Sequence, residues 1–385
     1  MKKIKIIADD KIPFLEGVFE NVADIRYYPA KDIDKDKVRD ADALIIRTRT
    51  HCNRELLKGS SVKFIASATI GYDHIDTAYC REKGIQWTNA PGCNAASVEQ
   101  YVVSVLLNLA LTHGFDLKTK TLGVVGVGNV GSKVAGAAGI LGMRVLLNDP
   151  PRAREEGSTG FVTFDTIVAQ SDIVTFHVPL NRGGEDNTFH LADERFFGRL
   201  NAGIYLINTS RGEVVDGNAL ALAIRNGRIQ AACLDVWEHE PGISPELLDM
   251  VDLATPHIAG YSLDGKANGT TMSVRAVSAF FDLGLDNWSP GDIPVPRESM
   301  SLVIDCTGMN ETEILTEVYH ASYDVKSDDE ALRKDVSRFE YLRGNYPVRR
   351  EPPAWSVRLI NNPYDNLPGI FEQLGFSVLE TSCFC

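Results

Sequence analysis

Between Lys3 and Asn89 the chain alternates short β-branched runs with polar, helix-length stretches. The runs are Ile4 to Ala8, Ile25 to Tyr28, Ala43 to Arg47, Val62 to Ala68 and Ile85 to Thr88. Continuous apolar strands separated in this way predict a parallel sheet covered on both faces. An apolar helix is expected over Ser97 to Leu111, and a stronger alternation begins at Thr121. Its strands are Leu122 to Val127, Arg144 to Asn148, Asp172 to His177, Ile204 to Asn208, Ala231 to Asp235 and Leu253 to Thr255. Six such strands suit one doubly wound α/β domain. A helical stretch around Thr270 to Leu285 follows, then a break at Asn287-Trp288-Ser289-Pro290-Gly291. The tail beyond it opens with a strand-like run, Met300 to Asp305, and a helix-like run from Glu311 to Tyr319.

The sharpest local signal is Gly123-Val124-Val125-Gly126-Val127-Gly128-Asn129-Val130-Gly131, at the end of an apolar strand and the start of a helix. Gly126 permits the tight turn, Gly128 lets backbone approach a pyrophosphate, and Gly131 lets the helix pack on the sheet. The next strand ends in Asp149, eighteen residues after Gly131, where an acid accepts hydrogen bonds from an adenine ribose. An acid there repels a 2′-phosphate, so NAD is expected in preference to NADP, although Arg152 and Arg154 stand nearby.

Three further segments lie at predicted strand ends of the same domain, the edge where open α/β sheets bind ligands. They are Asn208-Thr209-Ser210-Arg211-Gly212, Leu234-Asp235-Val236-Trp237-Glu238-His239-Glu240-Pro241 and Thr255-Pro256-His257-Ile258-Ala259-Gly260. Oxidising a secondary alcohol needs a base for the hydroxyl proton while hydride leaves for nicotinamide, and His257 is the candidate. Glu240 is expected to hold its ring and favour the charged imidazole. Arg211 offers a planar fork to a carboxylate and a developing carbonyl oxygen. His239 and Glu238 could suggest a metal, but no cysteine or carboxylate set completes a site, so none is expected.

Over about residues 40 to 262 this combination resembles the D-isomer-specific 2-hydroxyacid dehydrogenases. Gly71-Tyr72-Asp73-His74-Ile75-Asp76, Asn89-Ala90-Pro91-Gly92 and His177-Val178-Pro179-Leu180 are similar to further blocks of that family. The resemblance implies Arg211, Glu240 and His257 as the catalytic set and a cofactor site of Gly126, Gly128, Asn129, Val130, Gly131, Asp149, Val178, Asp235 and Gly260. Asp235 would face the nicotinamide carboxamide, and Val178 stands where relatives are expected to carry threonine. The implied fold is α/β, with two doubly wound domains and an α+β tail. A flavodoxin-like substrate (lid) domain spans 1–94, completed by about 262–286; a Rossmann NAD domain spans 95–261; a C-terminal dimerisation domain spans 287–385. Closure of the first over the cleft is expected, with hinges near Ala90 to Ala96 and Tyr261 to Ala267.

The stretch Ser337 to Glu351 narrows the substrate, because it resembles the tail of a homodimeric subfamily oxidising 4-phospho-D-erythronate on the way to pyridoxal 5′-phosphate. That resemblance implies Thr48, Thr69 and Tyr261 at the substrate. A phosphorylated substrate also needs a cation. Arg47, beside Thr48, ranks first; Arg49 and the tail's Arg343, Arg349 and Arg350 are further candidates, the tail ones if a partner subunit brings them near. Other 2-hydroxyacid dehydrogenases, for 3-phosphoglycerate or hydroxypyruvate, share every catalytic motif. An NAD-sensing interaction protein on the same fold is a more distant alternative.

Composition adds exclusions. The 385 residues hold 39 lysines and arginines against 52 aspartates and glutamates, a net charge of −13 that disfavours nucleic acid. The basic-aromatic mixture of the tail (Arg333, Lys334, Arg338, Phe339, Tyr341, Arg343, Tyr346) therefore reads as an interface or anion site. No uninterrupted apolar run approaches the ~18 residues of a membrane span, and Met1-Lys2-Lys3-Ile4 lacks the features of a secretory signal. Seven scattered cysteines without metal spacing are expected to be reduced thiols in the cytoplasm, with Cys383 and Cys385 oxidisable near the terminus.

Overall fold

The computed structural model describes residues 3–296 and 299–379; the Cys383/Cys385 pair lies outside them. The chain divides into two compact units, Met1–Asn94 with Ser262–Pro294, and Ala95–Tyr261 with Val295–Cys385.

In the first unit, strands β1 (Lys5–Asp9), β2 (Asp24–Tyr28), β3 (Ala43–Ile46), β4 (Phe64–Ser67) and β5 (Gln86–Thr88) form a parallel sheet in the order β2-β1-β3-β4-β5. β3 and β4 are buried along their whole length, as continuous apolar runs covered on both faces require. One face packs on Ile33, Val38, Leu56 and Tyr79, the other on Leu15, Phe19, Val274 and Val277. The last two lie on the helix Leu263–Phe281, which Ser262 caps by accepting the Gly265 N–H. The expected helix at Thr270 to Leu285 therefore starts earlier, because a polar first turn concealed its cap. The strand order reverses between β1 and β3, and Arg47 and Thr48 follow β3 at that switch.

The second unit holds β6 (Thr121–Val125), β7 (Arg144–Asn148), β8 (Ile173–Phe176), β9 (Ile204–Asn208), β10 (Ile229–Leu234) and β11 (Leu253–Ala254), all parallel, in the order β11-β10-β9-β8-β6-β7. Its switch lies at β6, which the glycine turn follows. The helix Ala95–His113 is long and apolar enough, by length and composition alone, to cross a membrane. Ser97, Glu99, Gln100, Ser104 and Asn108 interrupt its apolar run, and most of it is buried inside this unit, as a core helix.

The tail shares that core. β12 (Ser301–Asp305), β13 (Ser356–Ile360) and β14 (Ser377–Val378) form a small parallel sheet in chain order. Leu302, Ile304, Val318, Tyr319, Trp355 and Val357 pack in one cluster with Val98, Tyr101, Val105 and Leu109. The helix Val325–Lys334, which is not among the elements expected from the sequence, buries only Val325 and Leu332 and lies along edge strand β11. There Asp329 accepts the Ala254 N–H at 2.7 Å, while Arg333 donates to the carbonyls of Leu248 and Val251, each at 2.7 Å. Part of the basic cluster thus docks the tail on its own chain.

Candidate active site

The glycine turn is built as the sequence requires. Gly126 sits at φ +87°, and its N–H meets the Asn148 carbonyl at 2.8 Å. A Cβ on it would lie 2.7 Å from the His177 carbonyl oxygen and 2.8 Å from Val178 Cγ1, so Val178 rests on the turn. A Cβ on Gly131 would come within 1.9 Å of the Gly126 oxygen. Gly128 differs, since no protein atom lies within 4 Å of a Cβ placed there. Its missing side chain fits an approaching phosphate better than any packing need. Asn129 and Val130 open the helix Asn129–Ile140, whose first turn has no side-chain cap and points N–H groups outward from Gly128.

Asp149 follows β7 and ties this turn down: its carboxylate accepts the Val127 N–H at 2.8 Å and the Arg152 N–H at 3.1 Å. Arg152 forks onto Glu156, with both bonds at 2.7 Å, and Arg154 pairs with Glu185 and Asp186. Both arginines are thereby balanced by carboxylates, and the surroundings of the ribose position stay acidic. The residues present fit NAD.

At the neighbouring strand ends, Asn208 is fully buried and shapes the turn that presents Arg211: it accepts from the Ser210 N–H and hydroxyl and donates to the Arg211 carbonyl at 2.9 Å. Arg211 is half-buried and donates to the Ser210 carbonyl at 2.8 Å. Glu240 takes the Trp237 N–H on one carboxylate oxygen, at 2.9 Å, and His257 Nδ1 on the other, at 2.7 Å. A carboxylate can only accept, so Nδ1 carries a proton and Nε2 is the ring nitrogen left to face a substrate hydroxyl. Burial pushes the Glu240 carboxyl up, but the His257 bond and charge, the Trp237 N–H and the Arg343 charge outweigh it and hold Glu240 below the ordinary carboxylate value.

His257 itself has φ +57°, a left-handed conformation that a non-glycine residue adopts only when its surroundings impose it. Asp235, fully buried, does part of this. Its carbonyl accepts the His257 N–H at 2.7 Å, and its carboxylate accepts the N–H groups of Ile258 at 2.7 Å and Ala259 at 3.0 Å and the Thr255 hydroxyl at 2.6 Å. The role implied at the nicotinamide thus falls to a group already engaged in building the loop. Gly260 and Tyr261 end that loop, where the Tyr261 N–H meets the Ile258 carbonyl at 2.8 Å. The Tyr261 ring stands edge-on to Tyr346, 5.9 Å between centroids, and the Arg343 guanidinium lies 5.9 Å from it. Arg343 therefore reaches Tyr261 within one chain.

Arg349 does not stand ready for a phosphate: it is 4% exposed and committed to backbone carbonyls. The sequence could not reveal this, because the partners are Ser97, Ile258 and Ala259, far away along the chain. His177 also escaped the reading as a site group. Burial pushes its imidazole down to about 3, and it lies between the hydroxyls of Thr175 at 3.0 Å and Thr209 at 3.2 Å. Glu238 and His190 pair at 2.8 Å.

In the first unit, Arg47 Nε meets the buried Asp9 carboxylate at 3.2 Å. Thr48 is exposed beside it. The Thr69 hydroxyl contacts that of Ser67 at 2.8 Å, and Ser67 in turn meets His74 Nε2 at 3.1 Å. Burial pushes His74 down to about 4, so the relay ends in a neutral ring.

Hydride transfer between a secondary alcohol and a nicotinamide is the chemistry this arrangement serves, and the matching family model points the same way. Residues 98–259 match the NAD-binding domain of the D-isomer specific 2-hydroxyacid dehydrogenases, and residues 297–368 match a domain of unknown function. Over nearly its full length the chain is similar to proteins named erythronate-4-phosphate dehydrogenase. It is 51% identical over 355 residues to that of Bacteroides fragilis, covering 92% of this chain and 99% of the relative. It is 41% identical over 377 residues to that of Proteus mirabilis, covering 97% and 99%. The chain belongs to the erythronate-4-phosphate dehydrogenase family, within the D-isomer specific 2-hydroxyacid dehydrogenases. Among solved structures, the D-lactate dehydrogenase of Aquifex aeolicus complexed with NAD and lactic acid is 26% identical, with a TM-score of 0.59 over 73% of this chain and 96% of that one. NAD-bound 3-phosphoglycerate dehydrogenase of Entamoeba histolytica, 24% identical with a TM-score of 0.62, shares the fold over 76% of this chain and 100% of that one.

Proposed function

We propose that the protein oxidises 4-phospho-D-erythronate at C2 with NAD, giving (R)-3-hydroxy-2-oxo-4-phosphooxybutanoate, NADH and a proton, in the synthesis of pyridoxal 5′-phosphate. The observation that carries the reading is the 2.7 Å His257–Glu240 pair at the strand ends of the nucleotide sheet, in a chain 51% identical to its Bacteroides relative. When bound, NAD accepts the hydride from C2. His257 Nε2 takes the hydroxyl proton, and Glu240 holds the ring and balances the imidazolium. Arg211 neutralises the substrate carboxylate and the carbonyl oxygen as it forms. We assign the phosphate end to Arg47, Thr48 and Thr69; the place of Arg47 at the β1/β3 switch, with its guanidinium fixed by Asp9, supports this.

The test is NADH formation from 4-phospho-D-erythronate, D-erythronate and 3-phospho-D-glycerate. The expected result is a kcat/KM about 100-fold higher for the phosphorylated four-carbon acid than for D-erythronate. Arg47→Lys, which keeps a charge beside Asp9 but loses the fork, raises KM for the phosphorylated acid by about 10-fold and leaves D-erythronate unaffected. Equal rates on both erythronates overturn the reading, and preference for 3-phosphoglycerate moves it to a sister enzyme.

A homodimer formed through the tail is part of the proposal. Val303, 58% exposed, and Ile360, 37% exposed, lie on the outer face of the small sheet and support contact with a second copy. Light scattering should give a dimer for the native chain and a monomer for Val303→Arg; a dimer unaffected by the arginine removes this face. The buried cysteines Cys52, Cys80, Cys93, Cys233 and Cys306, which form no disulfide, support a reducing compartment, and we assign the cytoplasm.

A further inference from the structure

The loop that carries the base is gripped from two sides. On its N–H side, Asp235 binds residues His257, Ile258 and Ala259. On its carbonyl side stands a single guanidinium from the tail. Arg349 Nη2 donates to the Ala259 carbonyl at 2.5 Å and the Ser97 carbonyl at 2.9 Å, and also bonds the Ser97 hydroxyl; Nη1 reaches the Ile258 carbonyl at 3.5 Å. Ser97 Oγ completes the set by donating to the Ala259 carbonyl at 2.8 Å.

The guanidinium is itself held. It lies over the Tyr323 ring at 4.2 Å, and the hydroxyls of Tyr323 and Tyr346 both donate to Asp328, at 3.0 and 2.7 Å. Tyr101 lies against Tyr323, 6.2 Å between ring centroids, and its hydroxyl meets that of Thr255, which donates to Asp235. The carbonyl-side and N–H-side grips are thus joined through Tyr101 behind the loop. A buried arginine spent on backbone carbonyls beside a left-handed histidine calls for a reason, since a long cation is costly to bury.

We infer that Arg349 is a positioning residue for the base: with Asp235 it fixes the peptide units after His257, so that the ring stays on Glu240 with Nε2 presented to the substrate. The tail is then part of the catalytic apparatus of its own subunit, independently of any dimer it forms. This rests on the reading of His257 as the base. Displacing a catalytic group by about 1 Å can cost on the order of 100-fold in rate, so the effect should fall on turnover.

The experiment compares full-length wild type, Arg349→Lys and Arg349→Ala. NADH binding by fluorescence counts the folded sites. The expected result is a kcat per NADH-binding site lowered about 30- to 100-fold, with KM for the phosphorylated acid and the NADH affinity each within about 3-fold. A C2-deuterated substrate should give a larger isotope effect on kcat, and guanidinium ion should restore part of the Arg349→Ala rate. A purely structural role predicts fewer binding sites, each turning over at the native rate, without rescue by guanidinium; that result overturns the proposal. Should Arg349→Ala fail to fold, the lysine variant decides alone, and native kcat per site in it is the refuting result. Crystals of the NAD-bound lysine variant separate this inference from the functional reading. Lengthening of the His257–Glu240 contact supports positioning even if the wild type oxidises a different acid, and an unmoved loop refutes it.

Discussion

His257→Asn is expected to lower kcat by about 10²- to 10⁴-fold, the range that a positioned general base contributes. Asparagine is the informative replacement because it tolerates the left-handed backbone at φ +57°, so the loop need not rearrange to accommodate it. It cannot take a proton near neutral pH. NADH affinity should be preserved, because the glycine turn is held by Asp149 and Asn148 and takes nothing from His257. Steady-state NADH formation beside a fluorescence titration of NADH reads both quantities. Turnover within 10-fold of the native rate would remove His257 as the base.

Gly131→Ala should abolish measurable cofactor binding and destabilise the second unit. The added carbon would sit 1.9 Å from the Gly126 oxygen, which is backbone with no side-chain torsion to yield, so helix and turn must separate. Overpacking of this kind costs about 1–3 kcal/mol, and the N–H groups that face the phosphate move with the helix. Gly128→Ala is the matched contrast, as nothing lies within 4 Å of its Cβ. Its melting temperature should stay native while NADH affinity falls about 10-fold or more, because only an incoming phosphate meets the new methyl. Native NADH affinity in Gly131→Ala would contradict the account of the turn, and native affinity in Gly128→Ala would leave that glycine without a ligand role.

The inner strands of both large sheets, β3, β4, β8 and β9, were legible because each is a mostly apolar run buried along its whole length, whereas β2, β5 and β7 carry polar residues and lie partly open to solvent. The Glu240–His257 contact has a related reason: a parallel sheet delivers its strand ends to one edge, so the segments after β10 and β11 lie side by side. What escaped depends on distant pairs. The helix Val325–Lys334 is amphipathic but mostly charged, with only Val325 and Leu332 buried, so it reads as a solvated polar stretch until β11 is placed beside it. Arg349 reads as one more charge in a basic cluster, and its partners Ser97 and Ala259 offer only two backbone carbonyls and a hydroxyl, which no composition rule flags. Asp235 was visible as an acid at a strand end, but its service to three N–H groups of the base loop depends on a fold in three dimensions.

The way Asp329 and Arg333 fasten the tail along β11 bears on how this protein could be shortened. β11 is the short outermost strand of a six-stranded parallel sheet, and its Ala254 N–H is taken by Asp329 of the tail and not by a further strand. Cutting the polypeptide in the stretch before β12 would bare that edge together with the apolar face of Ala95–His113 on which Tyr319 and Tyr323 lie. The product is expected to self-associate through that uncovered apolar face, so the tail also serves as a cover for the nucleotide-binding unit, a service unrelated to catalysis or pairing.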